Sequence, residues 1–265
     1  MNVLDFQKKK EKKEKISMVT CYDAWSAKII AESNIDSILV GDSLAMVMHG
    51  YPTTINATVE MMYLHTQAVA KCAKNKFIIS DMPFLSHRKG LSFLMDTVQK
   101  LEQAGATAIK LEGGTGNFEL IHHVVESGIP VMGHLGLTPQ SVNLLGGFKT
   151  QGKDKCQSEA ILQQATLLQE AGCFAIVLEC IPAPLAKTIT EKLSIPTIGI
   201  GAGPDVDGQV LVLQDLLGCH TFKPKFLKTY LNGFELIQNA LNTYDKEVKS
   251  GLFPLEEHCY DGIQK

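Results

Sequence analysis

The sequence lacks the features that mark a membrane protein or a chain of linked domains. Residues 129–148, which belong to its longest stretch without a formal charge, contain Pro130, His134 and Pro139, so they do not form a membrane helix. The first 15 residues contain no apolar segment of the kind found in signal peptides. Without a Pro/Ser-rich linker, we expect a single domain over residues 1–265 in a cytoplasmic protein with no membrane partner.

Cysteine motifs and an excess of positive charge are also absent. Seven cysteines, an odd number, occur without a CxxC pair, which is typical of reduced thiols in a cytosol. The net charge of −3 argues against a nucleic-acid partner. Apolar residues make up 45% of the chain and charged residues 20%, so there is enough apolar material for a sizeable core.

The beginning of the chain differs in charge from the rest. Residues 1–15 have a net charge of +3, which leaves −6 for the remainder. An arm that binds RNA or a membrane is one interpretation. Alternating Lys and Glu without aromatic residues, as in residues 8–15, is more typical of a solvated helix. We therefore predict a basic N-terminal helix or arm over residues 1–15.

Apolar segments and amphipathic helices alternate along the rest of the chain. Leu94, Val98 and Leu101 share one helical face, and Gly105 closes that helix before the next apolar segment. The predicted strands are residues 16–21, 37–40, 77–80, 108–111, 130–132, 174–178, 196–200 and 210–213. Helices are predicted at residues 23–33, 58–74, 94–104, 117–127, 158–171 and 184–193, with a C-terminal helical tail over residues 227–265.

This alternation predicts an α/β fold with a parallel sheet. Strands that are apolar throughout, with amphipathic helices between them, belong to a sheet whose outer face is covered. A closed (β/α)8 barrel is the predicted architecture, since the length is close to the ~250 residues of that fold. Extra helices are expected at both ends of the chain. An open, doubly wound sheet is the alternative.

Four of the predicted strands are followed within two residues by an acid: Asp42, Asp81, Glu112 and Glu179. A carboxylate is costly to bury inside a hydrophobic strand, whereas at the strand's end it can face a solvated mouth. In a parallel barrel the active site lies where the strands finish, so these acids would converge there. One such acid can simply mark a strand-to-loop transition, but four in the same place indicate a site.

The acids suit a magnesium site. Asp42, Asp81 and Glu112 end successive strands and supply hard oxygen ligands with no His-Cys cluster, whereas zinc would require more nitrogen or sulfur. Such a site binds a bidentate ligand such as a 2-oxo acid. It also stabilises the enolate that forms when a proton leaves the carbon next to the 2-oxo group.

Lys110 precedes Glu112 by two residues, so both side chains point to the barrel interior. A lone ammonium is expensive to bury there and needs carboxylate partners. Near the mouth it could also hold a substrate carboxylate. A purely structural ion pair with Glu112 or Asp81 is the alternative.

Two further residues are candidates for moving a proton. Glu179 has apolar neighbours, and poor solvation makes a carboxylate a better proton acceptor near neutral pH, so we assign it as the general base. His134 is predicted to end the fifth strand, where it could donate a hydrogen bond to substrate or relay a proton as an auxiliary group. A structural role is the alternative for both residues.

These residues, in this order, resemble the ketopantoate hydroxymethyltransferase family. The resemblance covers residues 16–260. The segments that carry it are Val40-Gly41-Asp42-Ser43-Leu44, Asp81-Met82-Pro83-Phe84, Lys110-Leu111-Glu112-Gly113-Gly114, the stretch from Gly133 to Ser141, Leu178-Glu179-Cys180, Ile198 to Gly203, Phe253-Pro254 and Glu257-His258.

The resemblance implies a phosphoenolpyruvate-mutase-like (β/α)8 barrel in which Asp42 and Asp81 bind Mg²⁺ and substrate, and Glu112 acts on or near the metal through water. Ser43 and Lys110 would hold the substrate carboxylate. Glu179 would remove the C3 proton of 3-methyl-2-oxobutanoate, and the Mg²⁺-bound enolate would attack the one-carbon unit of 5,10-methylenetetrahydrofolate. Hydration would then yield 2-dehydropantoate and tetrahydrofolate. The family also implies a homo-oligomer, commonly a decamer.

Two other functions fit parts of this pattern. A related Mg²⁺-dependent carbon–carbon lyase or mutase acting on another 2-oxo acid would use the same metal and enolate. An inactive barrel with a basic binding arm is the non-enzyme alternative.

Overall fold

Eight short apolar segments form one closed barrel in the computed structural model, which describes residues 1–220 and 224–260. The strands are β1 (Ile16–Thr20), β2 (Ser37–Val40), β3 (Phe77–Asp81), β4 (Ala108–Glu112), β5 (Val131–Gly136), β6 (Ala175–Glu179), β7 (Thr197–Ile200) and β8 (Gly208–Leu211). Each strand pairs in parallel with the next, and β8 pairs with β1. The predicted (β/α)8 barrel is confirmed.

Helices connect and flank the strands. The α-helices of the described residues are α1 (Val3–Glu11), α2 (Ala24–Glu32), α3 (Leu44–Val47), α4 (Val59–Cys72), α5 (Leu91–Ala104), α6 (Phe118–Glu126), α7 (Val142–Leu145), α8 (Lys155–Glu170), α9 (Ala183–Lys192), α10 (Leu213–Leu216) and α11 (Gly233–Ser250). Short 3-10 turns lie at Thr54–Asn56, Ser86–Arg88, Pro139–Ser141 and Glu256–His258.

Capping residues fix several helix ends. Asp23, before α2, and Thr58, before α4, accept hydrogen bonds from backbone N–H groups three residues further on, at 2.9 and 3.2 Å. Gly105 ends α5 with φ +106°, as the sequence predicts. Only glycine suits this position, because an added Cβ would also approach the Ala70 Cβ to 2.5 Å.

Several predicted boundaries are wrong. The helix predicted from residue 158 begins at Lys155, because Asp154 accepts the Gln157 N–H at 2.9 Å and caps the helix there. The predicted eighth strand, residues 210–213, lies at Gly208–Leu211. The helical tail predicted from residue 227 becomes helical only at Gly233. Residues 261–265 of that predicted tail lie outside the described residues.

The basic N-terminal segment is a helix, as predicted, but it is not simply solvated. The ring of Phe6 on α1 is 0% exposed and lies 5.3 Å from the Phe77 ring and 5.2 Å from the Phe174 ring. Phe77 begins β3 and Phe174 precedes β6, so Phe6 packs at the amino-terminal ends of the strands. Salt bridges from Lys9 to Asp36 (2.9 Å) and from Lys10 to Asp207 (2.8 Å) hold the helix against the residues that precede β2 and β8. Aromatic packing therefore closes this end of the barrel.

Strand register places polar side chains at the opposite, carboxyl-terminal end. Asp81 pairs with Lys110 between β3 and β4, and Glu112 pairs with His134 between β4 and β5. Gly136 pairs with Glu179 between β5 and β6. The predicted site residues thus come from adjacent strands at similar levels of the barrel.

The chain falls into two compact units, Met1–Leu213 and Gln214–Lys265. The single domain expected over residues 1–265 stays a prediction. Within the second unit, Tyr230 N–H donates to the Leu216 carbonyl at 2.8 Å, ahead of α11. In the described residues, no helix combines the length and the apolar character needed to cross a membrane.

Candidate active site

The polar residues predicted from the strand ends lie together in the first unit. Asp42 lies two positions after β2, Asp81 ends β3, and Lys110 and Glu112 lie on β4. All four are buried, with at most 8% of the residue exposed. Three acids and one ammonium therefore share a site from which most water is excluded.

Lys110 is held by carboxylates, as its position on the interior face of β4 predicts. Its Nζ lies 3.0 Å from Asp81 Oδ1 and 4.0 Å from Glu112 Oε1. Burial alone would lower the pKa of Lys110, but the negative charges of Asp81 and Glu112 outweigh it and raise that pKa above its usual value. Lys110 is therefore a permanent cation.

Asp42 and Asp81 approach each other where β2 and β3 end. The Asp42 N–H donates to Asp81 Oδ2 at 3.1 Å. Burial, with the charge of Glu112 and the other aspartate, raises the pKa of Asp42 well above its usual range. Burial also raises the pKa of Asp81, against the opposing charge of Lys110. Asp42, Asp81 and Glu112 together carry more negative charge than Lys110 neutralises. A metal cation bound beside them would reduce the repulsion between their carboxylates.

The donor set fits magnesium. Among residues 1–220 and 224–260, no group of three or more His, Cys, Asp or Glu side chains could hold a metal ion. A site on Asp42 and Asp81 would use two protein carboxylates, which is the usual number for Mg²⁺ because that ion keeps its other positions for water and substrate.

Glycine at position 41 leaves room for this arrangement. A Cβ on Gly41 would lie 2.8 Å from Ser43 Oγ and 3.6 Å from Asp81 Oδ2. Any larger residue would push Ser43 away from its place beside the aspartates.

His134 connects the acids on either side of it. The predicted position at the end of the fifth strand is wrong: β5 continues two residues further, to Gly136, so His134 lies within the strand and points into the site. Its Nδ1 is 3.4 Å from Glu112 Oε1 and 3.3 Å from Lys110 Nζ, and its Nε2 is 3.2 Å from Glu179 Oε2. His134 therefore reaches three other site residues.

The protonation of His134 reflects this position. Burial and the charge of Lys110 oppose protonation of the ring, but Glu112 and Glu179 overcome both and raise the pKa of His134 to about 9. In return, His134 and Lys110 hold the pKa of Glu112 below its usual value despite its burial. At neutral pH the pair is an imidazolium and a carboxylate.

Glu179 ends β6, as predicted, and its side chain is 18% exposed. Its surroundings are less apolar than its sequence neighbours suggest, because the His134 ring faces its carboxylate. The backbone approaches closely at this point, since Leu137 N–H donates to the Glu179 carbonyl at 2.8 Å. Gly136 permits the approach: a Cβ there would meet the Glu179 carbonyl oxygen at 2.2 Å.

Gln140 is a site residue that the strand-end pattern does not predict. Its side-chain amide donates to Asp42 Oδ2 at 2.8 Å and to the Met82 carbonyl at 2.9 Å, and its backbone N–H donates to Glu112 Oε2 at 3.0 Å. One buried residue after β5 thus joins groups at the ends of β2, β3 and β4. Gln140 lies in the segment 133–141 that carries the family resemblance, which is the only signal in the sequence.

Tyr22 is a second such residue. It lies two positions after β1, is 1% exposed, and its hydroxyl is 2.8 Å from Ser43 Oγ. No strand-end acid or sequence motif points to it.

Known structures share the fold. The 2,3-dimethylmalate lyase structure, described as a PEP mutase/isocitrate lyase superfamily member, superposes with a TM-score of 0.62 at 13% identity, covering 97% of this chain and 91% of that one. A phosphonopyruvate hydrolase in complex with oxalate and Mg²⁺ gives 0.64 at 11% identity, covering 98% and 92%. These likenesses and the closed barrel define the chain as a (β/α)8-barrel protein, here with an acidic carboxyl-terminal end.

Sequence comparison shows to which family of (β/α)8-barrel proteins the chain belongs. The family model for ketopantoate hydroxymethyltransferase matches residues 1–256, and the chain belongs to that family. It is 62% identical over 263 residues to the 3-methyl-2-oxobutanoate hydroxymethyltransferase of Coxiella burnetii (strain RSA 493 / Nine Mile phase I), covering 98% of this chain and 99% of that protein. The enzyme of the same name from Bdellovibrio bacteriovorus is 60% identical over 259 residues, covering 97% and 98%. The family resemblance predicted from the sequence motifs is confirmed.

Proposed function

We propose that this protein transfers a hydroxymethyl group from 5,10-methylenetetrahydrofolate to 3-methyl-2-oxobutanoate, giving 2-dehydropantoate and tetrahydrofolate. The observation that carries the proposal is the arrangement of Asp42, Asp81 and Lys110 on one side of His134, with Glu179 on the other. This arrangement supplies acids for a metal, a cation for a carboxylate and a separate base, and relatives with the name of this activity are 60–62% identical.

Asp42 and Asp81 would hold Mg²⁺, with Glu112 acting on or near it through water. When bound, the ion would add positive charge beside the 2-oxo group, which favours loss of a proton from the neighbouring carbon. Gln140 would keep Asp42 in place, because its amide already occupies one oxygen of that carboxylate. The Lys110 ammonium would prevent Asp81 from repelling Glu112.

The carboxylate of the 2-oxo acid would bind to Ser43 and Lys110, next to Asp42 and Asp81. Lys110 is a fixed cation in a buried setting, where attraction to a carboxylate is stronger than in water. Ser43 would add one hydrogen bond. Together they would orient the substrate so that its C3 carbon faces Glu179.

Glu179 would remove the C3 proton. Its side chain is partly exposed, so substrate can reach it, and the His134 imidazolium orients its carboxylate from 3.2 Å. His134 would thus be an auxiliary group, holding the base and balancing Glu112. The carbanion at C3 would form a carbon–carbon bond to the methylene carbon of the folate donor as the first of its two carbon–nitrogen bonds breaks. Water would then replace the second nitrogen to give the hydroxymethyl group, and tetrahydrofolate would leave with a proton on each of the two nitrogens.

The protein would act on small molecules alone, with neither nucleic acid nor membrane as a partner. We propose a homo-oligomer working in the cytoplasm, with a decamer as the size that the family resemblance implies.

The test is a transfer assay with purified protein. It measures 2-dehydropantoate formed from 3-methyl-2-oxobutanoate in four mixtures, with and without Mg²⁺ and with and without 5,10-methylenetetrahydrofolate. We expect product only when both are present. Absence of product in the complete mixture would refute the proposal. Cleavage of another 2-oxo acid in place of transfer would favour the lyase or mutase alternative.

The metal ligands have their own test. Asp42→Asn and Asp81→Asn should each weaken Mg²⁺ binding, measured by calorimetric titration in the presence of 3-methyl-2-oxobutanoate. Asp96→Asn, an exposed aspartate on α5, is the matched control and should leave the titration unchanged. Normal titrations for both site variants would place the metal elsewhere.

A further inference from the structure

The hydrogen bond between Tyr22 and Ser43 joins the ends of β1 and β2. The two hydroxyl oxygens are 2.8 Å apart, and Tyr22 is almost completely buried. Ser43 Oγ makes no other hydrogen bond in the described part of the chain. The direction of this one bond therefore decides where the Ser43 proton can point.

Chemistry favours the tyrosine as the donor. A phenol is a stronger acid than an aliphatic alcohol, and its oxygen is the weaker acceptor because its lone pairs are delocalised into the ring. Burial, with the nearby charges of Asp81 and Asp42, also raises the pKa of Tyr22 above its usual value, so the hydroxyl keeps its proton. Tyr22 thus donates its hydrogen bond to Ser43 Oγ, and the Ser43 hydroxyl can donate its own hydrogen to another acceptor.

The surrounding contacts hold Tyr22 in this role. Its carbonyl accepts a hydrogen bond from His65 Nδ1 at 2.5 Å. The Thr20 hydroxyl, at the end of β1, accepts the Leu213 N–H at 3.1 Å, so the chain just before Tyr22 is anchored as well.

We propose that Tyr22 is a positioning residue. By occupying Ser43 Oγ as a donor, it orients the Ser43 hydroxyl so that Ser43 donates a hydrogen bond to the carboxylate of the 2-oxo acid. This inference rests on the proposed function, in which Ser43 holds that carboxylate. Without the phenol, the Ser43 proton could turn towards other acceptors, and the substrate would have to reorient it on binding.

The experiment is a double-mutant cycle on Tyr22→Phe and Ser43→Ala. Tyr22→Phe removes one oxygen and keeps the buried ring. We expect it to raise KM for 3-methyl-2-oxobutanoate roughly tenfold, as for loss of one hydrogen bond to a charged group, with kcat and Mg²⁺ affinity unchanged. In the Ser43→Ala background the same change should have no further effect. Tyr63→Phe, which removes a hydroxyl that accepts from Gln67 on α4, is the control and should behave like the wild type.

The outcomes separate this inference from the proposed function. Equal effects of Tyr22→Phe in the presence and absence of the Ser43 hydroxyl, an unchanged KM, or a loss confined to kcat would overturn the role of Tyr22 while the wild-type enzyme remains active. A wild-type protein that neither binds 3-methyl-2-oxobutanoate by calorimetry nor turns it over would instead refute the proposed function.

Discussion

The Lys110 ammonium lies 3.0 Å from the Asp81 carboxylate, and each side chain is only 4% exposed. Bringing both charges out of water is costly, and their attraction in the dry interior offsets that cost only while both are present. The pair is therefore a poor source of net stability, but each member depends on the other. This dependence makes Lys110 a sensitive point for folding as well as for substrate binding.

Replacing Lys110 should reveal the dependence. We expect Lys110→Met to lower the free energy of unfolding by about 3–5 kcal/mol in urea titrations, because it leaves the buried Asp81 carboxylate without its compensating positive charge. Lys100→Met is the matched control, since the Lys100–Glu60 pair has the same 3.0 Å separation but its side chains are 39% and 71% exposed. The control should cost about 1 kcal/mol or less. Equal losses for both variants would contradict this account of burial.

The N-terminal helix offers a test at the other end of the barrel. Phe6→Ala should lower the free energy of unfolding by about 3–5 kcal/mol, because it opens a cavity between the Phe77 and Phe174 rings. Leu4→Ala on the same helix, at a site 67% exposed, should change it by about 0.5 kcal/mol or less. Both variants should keep their turnover at low temperature. A basic arm that serves only to bind a partner would show no difference between them.

The raised pKa of His134 predicts how stability depends on pH. The folded-state pKa of about 9 lies above the value of 6.5 for an unperturbed histidine. Its contribution, on the order of 3 kcal/mol, is fully present below pH 6.5 and is lost as pH rises through 9. Urea unfolding of Mg²⁺-free protein should therefore show wild type and His134→Gln converging between pH 6.5 and 9.5. A difference that stays constant over this range would mean that His134 is not protonated.

Gln140 is predicted to act on the metal through Asp42. Gln140→Leu removes both side-chain donors, so Asp42 loses its orienting partner and the Met82 carbonyl loses its own. We expect Mg²⁺ affinity, measured with 3-methyl-2-oxobutanoate present, to fall roughly 10- to 100-fold. Gln67→Leu removes an amide that donates to Tyr63 on α4 and should leave the affinity unchanged. A normal affinity in Gln140→Leu would reduce that residue to a purely structural role.

The sequence predicted those parts of the site that follow from strand periodicity. Asp42, Asp81, Glu112 and Glu179 stand where apolar segments stop, and Lys110 lies two residues before Glu112 on the same face of its strand. Parallel strands bring their carboxyl ends to one edge, so their convergence follows from local pattern and fold class alone.

The site residues that the sequence does not predict make contacts between segments that are far apart in the chain, and no local sequence pattern encodes such contacts. Gln140 reaches Asp42, 98 residues earlier, only because the barrel brings the ends of β2 and β5 close together. Tyr22 looks like any loop residue until β1 and β2 are aligned. The glycines on either side of His134 predict a strand end there, whereas β5 includes both Gly133 and Gly136. The lysines that follow Phe6 are typical of a solvated helix, so the local pattern does not predict that the Phe6 ring is buried.

Removal of the C3 proton of 3-methyl-2-oxobutanoate by Glu179 is the step that can be tested most directly. Exchange of that proton with deuterium from the solvent can be followed by NMR with Mg²⁺ present and without a folate donor. Glu191→Gln, an exposed glutamate on α9, is the matched control and should exchange at the wild-type rate. Calorimetry should show that Glu179→Gln still binds the 2-oxo acid.

We predict that Glu179→Gln slows this exchange by roughly 10²–10⁴-fold, the usual contribution of a positioned base. Exchange at the wild-type rate in Glu179→Gln would contradict the account and remove Glu179 as the base.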